Sequence, residues 1–311
     1  MKNKINNIAI IGLGLIGGSI AKALKEKGYK IIGIDKNSKT INLALKEKAI
    51  NKGFTSLIPK ALESTDIIFI CTPLNLITTY INKHCKLKLK NNVIITDVGS
   101  TKSDICNYAN KFPPNFEFPI SNLQMFIGGH PMTGSEKDGF QSSTGNLFKN
   151  SLWFLTPTEK SKRMVLAFDL LAKVIKNTGA KIKIISDKEH DEIAALISHF
   201  PLLISICLCQ NIINLKNKIV KTMASLAASS GFRDTTRIAS CNPVLIDELL
   251  KTNSSELKKE TARFIKTLNN LNKNITSKKS LYKLFKETSN WRKNLYNSKG
   301  QNKKLMVNRT V

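Results

Sequence analysis

The 311-residue sequence predicts an α/β protein: a doubly wound, mostly parallel sheet over residues 1–186, followed by an all-helical segment over 187–311. Three observations predict it. Short apolar runs rich in β-branched residues alternate with helical patterns as far as Ile185, the signature of a parallel sheet wound with helices. A glycine-rich turn, Gly12-Leu13-Gly14-Leu15-Ile16-Gly17, joins the first run to the first helix. From Asp187 onward the strand signal largely stops and helical periodicity dominates.

The elements follow in order. Asn7–Ile11 reads as a buried strand. Leu15 to Lys27 carries Ile16, Ile20, Ala23 and Leu24 at helical spacing, and Gly28 stops it. Lys30–Asp35 is the next strand, and Ser38 to Lys48 a helix with Ser38 as its cap. Asp66–Cys71 is a strand ending in Thr72-Pro73, with a helix over Leu74 to Cys85. Asn92–Asp97 is another strand, ending in Val98-Gly99-Ser100-Thr101-Lys102 before a helix to Asn110. Pro113-Pro114 opens a loop, and Phe126–Gly129 is a short strand leading into His130-Pro131-Met132. Leu152–Pro157 and Ala180–Ile185 are strands around a helix from Glu159 to Thr178. Beyond Asp187 lie amphipathic segments such as Ser255 to Leu271, and a polar tail from Ser298.

The glycine turn carries the first chemistry. Gly12 allows a tight turn, Gly14 lets a pyrophosphate approach the backbone, and Gly17 lets the helix pack close to the strand. The exposed backbone N–H groups at the helix start are expected to bind the phosphates, in a cofactor site made of Gly12, Leu13, Gly14, Leu15, Ile16 and Gly17. Asp35 ends the second strand, near the ~20-residue spacing of an acid that binds the adenosine ribose. Together these read as a Rossmann dinucleotide site for NAD or NADP. Asp35 favours NAD by repelling a 2′-phosphate, while Lys36, Asn37, Ser38 and Lys39 leave NADP open. Ligands bind such sheets at the carboxyl ends of the strands, where Thr72, Pro73, Ser100 and Lys102 fall.

The totals narrow the class. Hydrophobic residues make up 41%, ordinary for a soluble protein. No uninterrupted apolar run spans a bilayer, since Phe200 to Leu215 is broken by Pro201, Ser205, Gln210 and Asn211. The N-terminus leads straight into the first strand, so a cytoplasmic protein is expected. Six scattered cysteines (71, 85, 106, 207, 209 and 241) read as reduced, with no metal-site spacing. The net charge of +27 is spread along the chain as lysines mixed with asparagines, and aromatics are only 7%. That pattern argues against nucleic acid as a partner and fits a positive field for anionic ligands.

Of four histidines, His84 lies late in a surface helix and is given no role. His130 follows two glycines at a strand end and precedes a proline. It is placed to act as a general base or to bond a loop carbonyl, with Ser100 positioned to hold its second ring nitrogen. His190, among acidic neighbours, reads as a cap or a hinge contact. His199, before Pro201 among apolar residues, reads as a core histidine or a substrate contact. Arg233 and Arg237 are four apart and would share a helical face, as a carboxylate clamp or a solvated basic surface.

Taken together, the motifs resemble the prephenate and arogenate dehydrogenases of tyrosine biosynthesis, cyanobacterial-type members above all. The matching segments are Gly12–Gly18, Cys71-Thr-Pro73, Asp97-Val-Gly-Ser-Thr-Lys102, Gly128–Gly139, His190-Asp191, Ser198-His-Phe-Pro201 and Ser230–Arg237. They stand in the family's order and cover the chain to about residue 245. The resemblance implies an NAD- or NADP-dependent oxidative decarboxylation of prephenate or arogenate, with no metal. It gives His130 the role of base, and Ser100 that of bonding His130 and the substrate hydroxyl. Arg237 would hold the ring carboxylate, with His199 in the substrate pocket and Arg233 and Lys102 as helpers. Glu136 falls where some members carry a gating acid. The family also implies a homodimer through the helical domain, and no chorismate mutase extension is evident at either end of the sequence. Two rivals remain at this level: another Rossmann hydroxy-acid dehydrogenase, and a non-catalytic cofactor- or nucleic-acid-binding protein.

Overall fold

The computed structural model describes residues 5–85, 87, 89, 90, 92–111, 125–134, 137–158, 161–276 and 278–297. Its strands are β1 (Asn7–Ile11), β2 (Lys30–Ile34), β3 (Lys52–Phe54), β4 (Ile67–Ile70), β5 (Ile94–Asp97), β6 (Met125–Pro131), β7 (Leu152–Pro157) and β8 (Lys181–Ile184). They form one sheet in the order β3-β2-β1-β4-β5-β6-β7-β8. β6 and β7 pair antiparallel and every other neighbouring pair is parallel. The order reverses between β1 and β4, which places a ligand crevice there.

The helices wound on the sheet are α1 (Leu15–Lys25), α2 (Ser38–Lys46), α3 (Pro59–Leu62), α4 (Leu74–Cys85), α5 (Ser103–Asn110) and α6 (Lys162–Lys176). After β8 come α7 (Asp187–Ala194), a π-helical turn (Ala195–His199), α8 (Phe200–Ile213), α9 (Lys218–Leu226), α10 (Ser230–Thr236), α11 (Pro243–Thr252), α12 (Ser254–Lys273) and α13 (Lys278–Asn297). The chain divides into two compact units, Met1–Leu257 and Lys258–Val311. The first holds the sheet and the helices through α11. In the second, α12 and α13 expose Phe264, Ile265, Phe285 and Trp291.

Alternation within β1 shows why these strands read as unbroken apolar runs. Ile8 and Ile10 join the core on one face with Ile20, Leu24 and Trp153. Ala9 and Ile11 join the opposite core with Ile68, Ile70, Ile77 and Ile95. Both faces are covered, so both sets must be apolar, and each fully buried isoleucine is worth about 1.5–3 kcal/mol.

Some expectations change. β3 and α3 are too short for a periodic signal. Asn37, not Ser38, caps α2, by accepting the Lys39 N–H. The Pro113-Pro114 loop and the tail from Ser298 lie outside the described residues. The apolar segment at Phe200 is also longer than its sequence suggests. α7, the π turn and α8 run on as 27 helical residues, Asp187–Ile213, long and apolar enough by length and composition to cross a membrane. Its first turns are nevertheless bonded into the sheet unit, as described below.

Lys102, expected among the substrate contacts, is wholly buried and paired with the equally buried Asp97. Asp97 also accepts N–H bonds from Gly99 at 2.8 Å and Gly129 at 3.0 Å. Such a pair persists because removing one partner strands the other charge in a low dielectric. Lys102→Met should therefore lower unfolding free energy by about 3–5 kcal/mol in urea melts. A loss below about 1 kcal/mol would show that the pair is not structural.

Candidate active site

The glycine turn lies against the end of β4. Gly12 has φ of 90°, and a Cβ there would meet the Cys71 carbonyl oxygen at 2.5 Å. A Cβ on Gly17 would meet the Gly12 carbonyl oxygen at 1.9 Å, whereas Gly14 faces open space. Gly14 caps α1 with no side-chain bond and no acid in the first turn, so the positive helix end is left for an anion. Leu13 is buried and its N–H is accepted by Asp35 Oδ2 at 2.8 Å, and the Gly12 N–H is accepted by the Ile34 carbonyl at 2.7 Å, so these two donors are already taken. Asp35 Oδ1 accepts the Asn37 N–H at 2.9 Å, which fixes the acid beside the turn. Across the crevice Thr72 Oγ1 is buried with no partner among the described residues. Beyond Pro73, Glu248 of α11 accepts the first N–H of α4, that of Leu74, at 3.2 Å. The close-packed glycines, the uncapped helix and the orphaned hydroxyl fit a dinucleotide.

His130 stands near the carboxyl end of β6, half-buried. A Cβ on Gly129 would meet the Asp97 carbonyl oxygen at 2.6 Å, so the strand before the histidine needs glycine to sit this close to β5. His130 Nδ1 lies 2.8 Å from His190 Nε2. Among the described residues nothing bonds its Nε2, and Ser100 makes no hydrogen bond to it. His190, not Ser100, therefore holds the second ring nitrogen. This is a correction, because His190 reads in sequence as a cap or hinge contact. The true cap of α7 is Ser186, in a box with Glu189. The adjacent Asp191 supplied the missed signal, a carboxylate next in the chain to an imidazole. His190 Nδ1 contacts Asp191 Oδ1 at 2.8 Å. Asp191 also accepts the Lys102 N–H at 2.7 Å and the Ser103 N–H at 2.8 Å.

Burial holds His130 well below the usual imidazole range, reinforced by the neighbouring His190, Lys102 and His199. Burial lowers His190 too, against the pull of Asp191. Burial pushes the Asp191 carboxyl up, but bonds from His190, Ser103 and Lys102 outweigh it and hold it below the usual carboxylate range. A neutral imidazole with an open nitrogen, at the carboxyl edge of the sheet, can take a proton from a hydroxyl.

His199 closes the π turn, and Pro201 explains that turn. Proline offers no N–H to the carbonyl four residues back and its ring crowds it, so the helix opens by one residue there. The His199 side chain is 2% exposed. The Asn253 amide nitrogen donates to its Nδ1 at 3.1 Å and to the Asp191 carbonyl at 2.9 Å, and Nε2 is buried without a partner among the described residues. α10 and the following 3-10 turn, Arg237–Ser240, pack against α8. Arg233 is exposed and paired with Asp234. Arg237 opens the 3-10 turn, exposed, so the two arginines do not share one regular α-helix. Glu136 lies outside the described residues. Among the described residues no cluster of potential metal ligands occurs.

Comparison with known proteins matches the same chain. Residues 20–184 match the family model "Prephenate dehydrogenase, nucleotide-binding domain". Residues 186–287 match "Prephenate dehydrogenase, dimerization domain". A prephenate dehydrogenase of Bacillus subtilis is 31% identical, over 95% of this chain and 77% of its own length. The crystal structure of Synechocystis arogenate dehydrogenase superposes with a TM-score of 0.77 at 32% identity, covering 93% of this chain and 99% of that one. That of A. aeolicus prephenate dehydrogenase with hydroxyphenyl propionate and NAD+ gives 0.83 at 28% identity, covering 95% and 100%.

The buried histidines set a pH dependence. His199 is lowered from 6.5 to about 4, chiefly by burial. Unfolded, it takes up a proton near 6.5, whereas folded it resists, so acid favours the unfolded chain between those values. Stability should fall as pH drops from about 7 towards 4, with about 3 kcal/mol from His199 alone. Urea melts at the two ends of this range should show the loss, and His199→Gln should reduce it. Equal stability at both ends would contradict the burial argument.

Proposed function

The chain belongs to the prephenate dehydrogenase family, and from that premise we propose that His130 is the base in its site, with the residues around it holding a cyclohexadienol that carries two carboxylates. As a member it is an NAD(P)-dependent oxidoreductase of tyrosine biosynthesis. It converts prephenate to 4-hydroxyphenylpyruvate or arogenate to tyrosine, by oxidative decarboxylation. The observation that carries the assignment of the base is the open Nε2 of His130, whose other nitrogen is occupied by His190.

The chemistry then runs through this chain's own groups. Gly12 to Gly17, Asp35, Thr72 and Pro73 would hold the nucleotide, which when bound supplies the hydride acceptor. His130 Nε2 takes the substrate hydroxyl proton as the carbinol hydrogen leaves as hydride. The ring C–CO2 bond breaks, carbon dioxide departs, and its electron pair aromatises the ring as the new carbonyl becomes a phenolate, which takes a proton back to give the phenol. Ser100, at the next strand end, would bond the substrate hydroxyl. Arg237, helped by Arg233, would hold the ring carboxylate; a charge-assisted bond of this kind is worth about 1.5–3 kcal/mol. The buried Nε2 of His199 would serve an oxygen of the side chain.

We also propose that the sheet domain ends at 186, where Ser186 caps α7, and that the helical domain pairs two chains. Ile219 and Leu226 of α9 are 77% and 76% exposed, and only 33% of the apolar window along Asp187–Ile213 is buried. A second copy is the natural cover. The free thiols Cys71, Cys106, Cys207, Cys209 and Cys241 suit a reducing, cytoplasm-like compartment.

Purified protein should reduce a nicotinamide cofactor in at least one of four mixtures, prephenate or arogenate crossed with NAD or NADP. His130→Ala should cut kcat by at least about 100-fold, while Arg237→Ala should act mainly by raising KM. Equal, small effects from both would sink the role assignment, and silence in all four mixtures would favour a binding protein without this activity.

A further inference from the structure

We propose that His190 and Asp191 are positioning residues that fix the proton-accepting tautomer of His130 and share the charge it gains. The inference rests on the reading of His130 as the base. A chain of donors and acceptors leads to it.

Asp191 is 3% exposed and takes N–H bonds from Lys102 and Ser103. An ionised carboxylate only accepts, so the contact of His190 Nδ1 with Asp191 Oδ1 at 2.8 Å requires the proton on Nδ1. A neutral imidazole carries one N–H, and His190 is fully buried. Its Nε2 is therefore the lone pair. His130 Nδ1 lies 2.8 Å away. Two lone pairs do not face each other at that distance, so His130 Nδ1 carries the proton and donates. The lone pair of His130 is thereby forced onto Nε2, the nitrogen with no partner among the described residues.

The same chain works when a proton arrives. Once His130 Nε2 holds the substrate's proton, the ring is an imidazolium whose Nδ1–H points at a neutral acceptor. That proton can shift towards His190 Nε2 while the His190 Nδ1–H stays on the Asp191 carboxylate. The single positive charge is then spread over two rings facing one anion. Other charged or titratable neighbours are Lys102, held by Asp97, and His199. Phe154 of β7 stands edge-on to His190, with ring centroids 5.7 Å apart, and walls that side with an apolar ring.

The test uses the full chain, whose four histidines give a readable set of signals when labelled with nitrogen-15. At pH 7.5 the His130 signals, assigned by their loss in His130→Ala, should show a protonated Nδ1 and a bare Nε2. A protonated Nε2 overturns the proposal whether or not the enzyme turns over. His190→Leu removes the acceptor, whereas His190→Gln can still accept the Nδ1–H through its amide oxygen but cannot carry a proton. The leucine variant should lose at least about tenfold in kcat, with KM within about threefold. It should also show His130 as a mixture of tautomers, and glutamine should restore a single tautomer but only part of kcat, because it cannot share the proton. Wild-type kcat in the leucine variant, or equal losses in both, would overturn the positioning role. Failure of the wild type with every substrate and cofactor pair would instead strike the functional reading, and the spectrum would still decide the tautomer.

Discussion

The Asp191 carboxylate ties the site together. It gathers the first N–H groups around α5, from Lys102 and Ser103, and the ring nitrogen of His190. Its own carbonyl is held by Asn253, which also fixes His199. One residue at the start of the helical region thus sets the position of a loop at the end of β5, of the histidine behind the base, and of the histidine on the π turn. Such a group is stable in a dry interior only while its donors stay in place, so each element it touches constrains the others.

Around it the interior is unusually rich in ionisable groups. Lys102 and Asp97 neutralise each other beneath the strand end that carries His130. Three imidazoles close by are kept neutral by burial. A neutral, desolvated base is a weak one in isolation. It becomes useful when a fixed anion lies one ring behind it, because the charge that develops is stabilised without reorganising solvent. The buried pair and the histidine–carboxylate chain are thus two answers to the same low dielectric, one static and one active only during turnover.

Much of this was legible in the residues. The apolar runs are unbroken because both sheet faces are covered, and the glycine turn is dictated by the close approach of Gly12 and Gly17 to Cys71 and to each other. The two glycines before His130 likewise placed it at a strand end, where Gly129 proves to lie against Asp97. What was not legible depends on long-range contact. Lys102 looks like a strand-end cation, and only the fold turns it inward to Asp97. His190 looks like a helix cap because its acidic neighbours suit a helix start, and its actual partner lies 60 residues earlier. The distance that matters between Ser100 and His130 is likewise not a sequence quantity.

The π turn at Ala195–His199 has a consequence for how this stretch can vary. Leu196 and Ile197 are substantially exposed, so their side chains are open to exchange. The number of residues is not. Removing one would return the helix to ordinary spacing, and the Pro201 ring would then crowd the carbonyl four residues back. His199 would be drawn off the widened turn from which it meets Asn253. Drift in this segment is therefore confined to substitutions, and a single-codon deletion there would cost the pocket.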